Sequence, residues 1–98
     1  MGNEFTASLL SSGRMTNAQI SLWSGVAASL AALDAISREG ATTVVKIDGG
    51  RPDGSFYSVV VSGEKLGEEF FRKDSGDLPA LLQEAIEFYV TRVRSRAG

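Results

Sequence analysis

The chain has 98 residues, 43% of them hydrophobic, with ten basic and twelve acidic side chains and a net charge of −2. That suits a single domain with a modest core, small enough for self-association to be an expected aid to stability, and a pI near 5.0 gives no general attraction to nucleic acid or anionic membrane. It holds neither cysteine nor histidine, which excludes disulfides, thiolate metal sites and the commonest general base and metal ligand.

Residues 1–14, MGNEFTASLLSSGR, are rich in Ser, Gly and Asn and read as a flexible leader ahead of one domain over 15–98. Gly2 and Thr6 formally fit a myristoylation pattern, but the pattern is loose and the leader reading is preferred. The start lacks a basic cluster and a continuous apolar run, so no secretory signal is expected. Ile20 to Ile36 leans apolar but is interrupted by Ser21, Ser24, Ser29 and Asp34 and falls short of a membrane span. A soluble, cytoplasmic protein is expected.

The first helix has a defined start. Thr16 as N-cap and Gln19 three residues later make a capping box, Met15 and Ile20 sit where a hydrophobic staple would join them, and Gly40 closes the helix just beyond Arg38. Leu22, Trp23, Val26, Leu30 and Leu33 form one stripe that must face a sheet. A second stripe, Ser21, Ser24, Gly25, Ala28, Ala32 and Ala35, holds only small residues, and between Met15 and Ser37 the sole charge is Asp34. A face so smooth and uncharged predicts packing against a second helix or a partner chain, over the alternative that Ala and Ser are simply tolerated on a solvated helix.

Thr42 to Lys73 is the β-rich stretch and reads as an antiparallel meander. Val45 and Ile47 alternate with Lys46 and Asp48, while Tyr57, Val59 and Val61 alternate with Phe56, Ser58 and Val60. Arg51-Pro52-Asp53-Gly54 turns the chain between them. Ser62 to Lys65 predicts a tighter reversal into a third strand over Leu66–Lys73, weakened by Gly67. The second helix is expected from Asp77, its N-cap, to Arg94, with Pro79 in its first turn. Leu78, Leu82, Ala85, Tyr89 and Val93 lie on its inner face, flanked by Leu81 and Ile86. Arg92, Arg94 and Arg96 gather at the C-terminal end, as the helix dipole favours.

Chemistry finds little support. No serine sits in a Gly-x-Ser-x-Gly elbow, and a Ser-Lys pair would have to draw on Lys46, Lys65 or Lys73, each of which suits a solvated strand or turn. Glu68 and Glu69 would point to opposite faces of a strand and so make no catalytic pair. Asp48 to Gly54 lacks the alternating acids of a calcium loop and the Gly-Lys-Ser/Thr of a phosphate loop, and turn chemistry explains it. No cofactor and no metal are expected.

The order helix, three antiparallel strands, helix resembles that of double-stranded-RNA-binding domains. Gly54-Ser-Phe-Tyr-Ser-Val-Val-Val-Ser-Gly-Glu-Lys-Leu-Gly67 is similar to that family's second strand and following turn. The resemblance implies the architecture alone. The family grips phosphate with a lysine-rich start to its second helix, and here that start is Ser75-Gly-Asp-Leu-Pro-Ala80. The acids Glu64, Glu68, Glu69, Asp74, Asp77, Glu84 and Glu87 could instead meet a basic protein or form a solvated surface.

The sequence therefore predicts an α+β domain, αβββα, with both helices on one face of a three-stranded antiparallel sheet. Its open face would carry Phe56, Ser58, Val60 and one of Phe70 or Phe71. The expected function is a small non-catalytic protein-interaction module, an adaptor or inhibitor acting by steric binding, phage- or bacteria-encoded, and a homodimer. Ser21, Ser24, Gly25, Ala28, Ala32, Phe56, Val60, Glu68 and Glu69 are its candidate partner-binding residues. One alternative is a nucleic-acid binder using Arg51, Lys65, Arg72, Lys73 and the C-terminal arginines. A small enzyme of unknown class comes third.

Overall fold

The computed structural model describes residues 4–97, and Gly2 lies outside them. The elements run α1 (Glu4–Ser11), α2 (Asn17–Gly25), α3 (Ala27–Ser37), β1 (Ala41–Ile47), β2 (Tyr57–Gly63), a 3-10 turn (Glu64–Leu66), β3 (Phe71–Ser75) and α4 (Leu78–Ala97). The three strands form an antiparallel sheet in the order β1-β2-β3, with Val45 opposite Val59 and Val61 opposite Phe71. This is the α+β class the alternation implies, with helices on one face and the other face open.

The capping box forms as the residue spacing requires. The Gln19 amide donates to Thr16 Oγ1 at 3.2 Å, and the Thr16 amide donates to Gln19 Oε1 at 2.7 Å. The long first helix does not run straight, however. It bends by 45° at Val26, which divides α2 from α3. Ser24-Gly25 is the kind of pair at which helices kink, and the buried Val26 turns its amide back to the Trp23 carbonyl at 3.3 Å. No single helix among the described residues is long and apolar enough to cross a membrane.

The core gathers Val26, Leu33 and Ile36 from the first helical layer, Val59 and Val61 from β2, and Leu78, Leu81, Leu82, Ala85 and Tyr89 from α4. Trp23, Leu30 and Val93 pack at its margin, half-buried. At the start of α4 the Ala80 amide donates to Asp77 Oδ1 at 3.2 Å, the N-cap bond expected of that aspartate.

The third strand departs from expectation. It spans Phe71–Ser75 rather than Leu66–Lys73, and Glu64–Leu66 coil into a 3-10 turn. The reason is Leu66, which is fully buried beneath α4 and so draws the chain down out of the sheet plane before β3 begins. Neither phenylalanine then lies on the open face of the sheet. Phe71 pairs with Val61 and turns its ring toward Phe88 of α4, 5.8 Å away, while Phe70 precedes the strand and is 60% exposed. The N-terminal stretch also holds α1, a two-turn helix with no buried side chain.

Candidate interaction surface

Two polar and apolar arrangements occupy the loop end of the sheet. On the open face the β1–β2 loop folds back through Arg51. Its Nη1 donates to Asp74 Oδ1 at 3.0 Å and to the Ser55 carbonyl at 3.1 Å, Nη2 donates to Ser58 Oγ at 2.9 Å, and Nε lies 3.4 Å from Asp48 Oδ2. Ser58, the one buried polar residue among those described, donates its hydroxyl in turn to Asp74 Oδ1 at 2.5 Å. Hydrogen bonds from Ser58 and then Arg51 hold the Asp74 carboxyl below the usual carboxylate range. The Gly50 amide does the same for Asp48, and the Ser55 hydroxyl and amide for Asp53. Among the described residues no buried side-chain nitrogen or oxygen lacks a hydrogen-bond partner, and Ser58 joins Arg51 to Asp74 at the centre of this cluster.

On the other side, an open groove of about 510 Å³ is lined by Met15, Gln19, Ile20, Trp23 and Ser24. The Trp23 ring meets Tyr57 edge-on at 6.3 Å, and Tyr57 meets Phe56 at 5.2 Å, so an aromatic row runs from the groove across the sheet end. Phe56, Ile20 and Ile47 are exposed along it. Next to the groove stands α1, tied to it by the Met15 amide donating to the Leu9 carbonyl at 3.0 Å, with Phe5, Leu9 and Leu10 in solvent. Neither α1 nor α2 has a buried residue. Glu4 and Arg14 are the only charges in this arm from residue 4 through Leu33.

The residues named from sequence are brought together unequally. Ser24 lines the groove, and Phe56 ends the aromatic row. Ser21, Gly25 and Ala28 face solvent, divided by the bend at Val26, while Ala32 is half-buried. Val60 lies half-buried between Val44 and Arg72 on the open sheet face. Glu68 is exposed, but Glu69 is drawn onto α4, 3.1 Å from Arg92 Nε and 3.3 Å from Arg96 Nη1. Glu84 pairs with Lys73 at 2.7 Å. With Asp74 clamped and Asp77 capping, four of the seven acids in the run are engaged within the chain, while Glu64, Glu68 and Glu87 are exposed. Sequence reasoning placed Trp23 in the core-facing stripe, and it does pack against the core, but its part-exposed edge at the groove was not anticipated. The signal available was its position one turn after the exposed Ile20, on the same side of α2.

All but one of the cations considered for nucleic acid are engaged in ion pairs. Lys65 lies 3.7 Å from Glu39 and Arg72 lies 3.8 Å from Asp74, in addition to the pairs of Arg51, Lys73, Arg92 and Arg96. Arg94 has no ion pair among the described residues. None of the three lysines hydrogen-bonds a serine there, and no group of three or more carboxylates gathers that could hold a metal. A second groove of about 320 Å³ lies between β3 and α4, lined by Phe71, Glu84, Glu87, Phe88, Thr91 and Arg92. Its chief device is the Arg92 guanidinium 5.1 Å above the Phe88 ring. Comparison with known proteins yields no matching family, curated protein or solved structure.

Proposed function

We propose that this chain is a protein-interaction module that acts by steric binding, as an adaptor or inhibitor, and makes or breaks no bond. The observation that supports the reading is the arm formed by α1 and α2. It exposes Phe5, Leu9, Leu10 and Ile20 beside the Trp23 groove, and it holds no fully buried residue. Apolar surface of this kind, rimmed by Gln19 and Ser24, marks contact with another macromolecule. Trp23, Tyr57 and Phe56 are the side-chain types that dominate such contacts, because each brings a large rigid area at little conformational cost.

The test is capture from the cells that encode the chain, with partners identified by mass spectrometry. Three baits are compared: wild type, Trp23→Glu and Arg72→Glu. The reading predicts a partner retained by wild type and by Arg72→Glu and lost with Trp23→Glu. A salt-sensitive mobility shift with duplex RNA or DNA would overturn it in favour of nucleic-acid binding.

A further inference from the structure

We propose that a second copy of this chain covers the α1–α2 arm. The two α1 helices cross antiparallel, each at the mouth of the other's Trp23 groove. This rests on the docking reading above and names the occupant of the groove.

The arm cannot satisfy itself. The Met15–Leu9 hydrogen bond and the turn at Gly13 fix α1 beside the groove mouth, so α1 lies next to its own groove without filling it. Phe5 and Leu9, four residues apart, share one side of α1 and point their apolar surface outward.

Charge selects the partner. Through Leu33 the described arm carries one acid at its start, Glu4, and one base at its turn, Arg14. An antiparallel crossing of two α1 helices near Leu9 brings the Glu4 end of each toward the C-terminal turn of the other, which carries Arg14. By two-fold symmetry each unlike pair forms twice. Arg14 uses only its Nε on Ser12 Oγ, at 2.8 Å, which leaves the rest of its guanidinium for Glu4 of the second copy. A strongly charged foreign partner would instead lay its charges on the uncharged run from Met15 to Leu33.

The area agrees with a modest dimer. The exposed apolar side chains of arm and groove amount to on the order of 400 Å² per copy. Two copies with their flanking polar rim reach roughly 1,000 Å², the lower end for a specific interface.

Sedimentation equilibrium of the full chain, from micromolar to near-millimolar, tests this with four variants. Wild type should pass from monomer to dimer across the range. Leu9→Glu, which puts two carboxylates at the symmetry axis, should raise the dissociation constant by about tenfold or more. Glu4→Arg and Arg14→Glu should each weaken it by roughly three- to tenfold, and the double reversal should restore it. All three positions lie on surface segments, so thermal melts of the monomeric domain should be unchanged, and the charge-reversal pair serves as an independent arm should Leu9→Glu not fold. A monomer at near-millimolar concentration overturns the inference. So does a dimer indifferent to Leu9→Glu, or a double reversal that fails to restore. A monomer that still captures a foreign protein through Trp23 overturns it while leaving the docking reading intact. A dimer that captures nothing supports it and removes the adaptor or inhibitor role.

Discussion

Replacing Leu66 with alanine tests the most consequential feature of the fold, the diversion of the chain out of the sheet between β2 and β3. In the structure Leu66 is fully buried against α4. In a regular edge strand beginning at residue 66 it would be half in solvent. Truncation removes three carbons, worth about 0.8 kcal/mol each in transfer, and the cavity term adds to this, giving a loss of about 3–4 kcal/mol. For a domain of this length that is a large share of a total stability of roughly 5–15 kcal/mol, and the melting temperature should fall by about 15–25 °C. Urea unfolding followed by far-ultraviolet circular dichroism reads it directly. Phe70→Ala is the internal control, because a ring already 60% exposed should cost less than about 1 kcal/mol. A loss below about 1 kcal/mol for Leu66→Ala, with a larger one for Phe70→Ala, would refute the placement of both residues.

Further outcomes follow from the same contacts. Gly63→Ala should destabilise by about 1–3 kcal/mol, read by urea midpoint, because Gly63 has φ +153° and an added Cβ would lie 2.9 Å from the Ala41 Cα. Tyr89→Phe should cost about 0.5–1.5 kcal/mol in the same assay, since the buried phenol donates to Glu39 Oε1 at 3.2 Å. Burial and then the Glu39 carboxylate hold the Tyr89 phenol above its ordinary range, so an absorbance titration of wild type should show a late component that Tyr89→Phe lacks. Asp48, Asp53 and Asp74 all have lowered folded-state values, so their stabilisation is present above the unfolded carboxylate pKa of about 3.9 and is lost as pH falls through the lower folded values. The urea midpoint should therefore drop in acid, and Arg51→Met should make that drop shallower.

Much of the fold is carried by local chemistry that a sequence displays. Thr16 with Gln19, Asp77 ahead of Pro79, and the Pro52–Gly54 turn each act within a few residues, and each forms as expected. The differences arise where distant parts decide. An apolar stripe at helical spacing reads the same through a bend, so the 45° break at Val26 was invisible, although Ser24-Gly25 marked where it could fall. Leu66 looked like one apolar position in an irregular strand because its burial depends on α4, many residues later. The reach of Arg51 to Ser58 and Asp74 has no local signature either. At the interaction surface the exposed Phe56 was legible. Trp23 was not, because a large apolar residue on a core stripe looks the same whether it sits at the stripe's centre or its margin. Glu69 seemed free for a partner until α4 brought Arg92 and Arg96 beside it.

Trp23 is the sole tryptophan in the chain, and it lines the groove on which the functional account depends. Its fluorescence therefore reports on the groove. Dilute protein should emit as a half-exposed indole. The maximum should move to shorter wavelength as the groove is covered, whether by rising protein concentration or by a captured partner. An emission maximum that stays fixed from micromolar to near-millimolar protein, and again in a purified complex, would contradict the claim that this surface is where the molecule works.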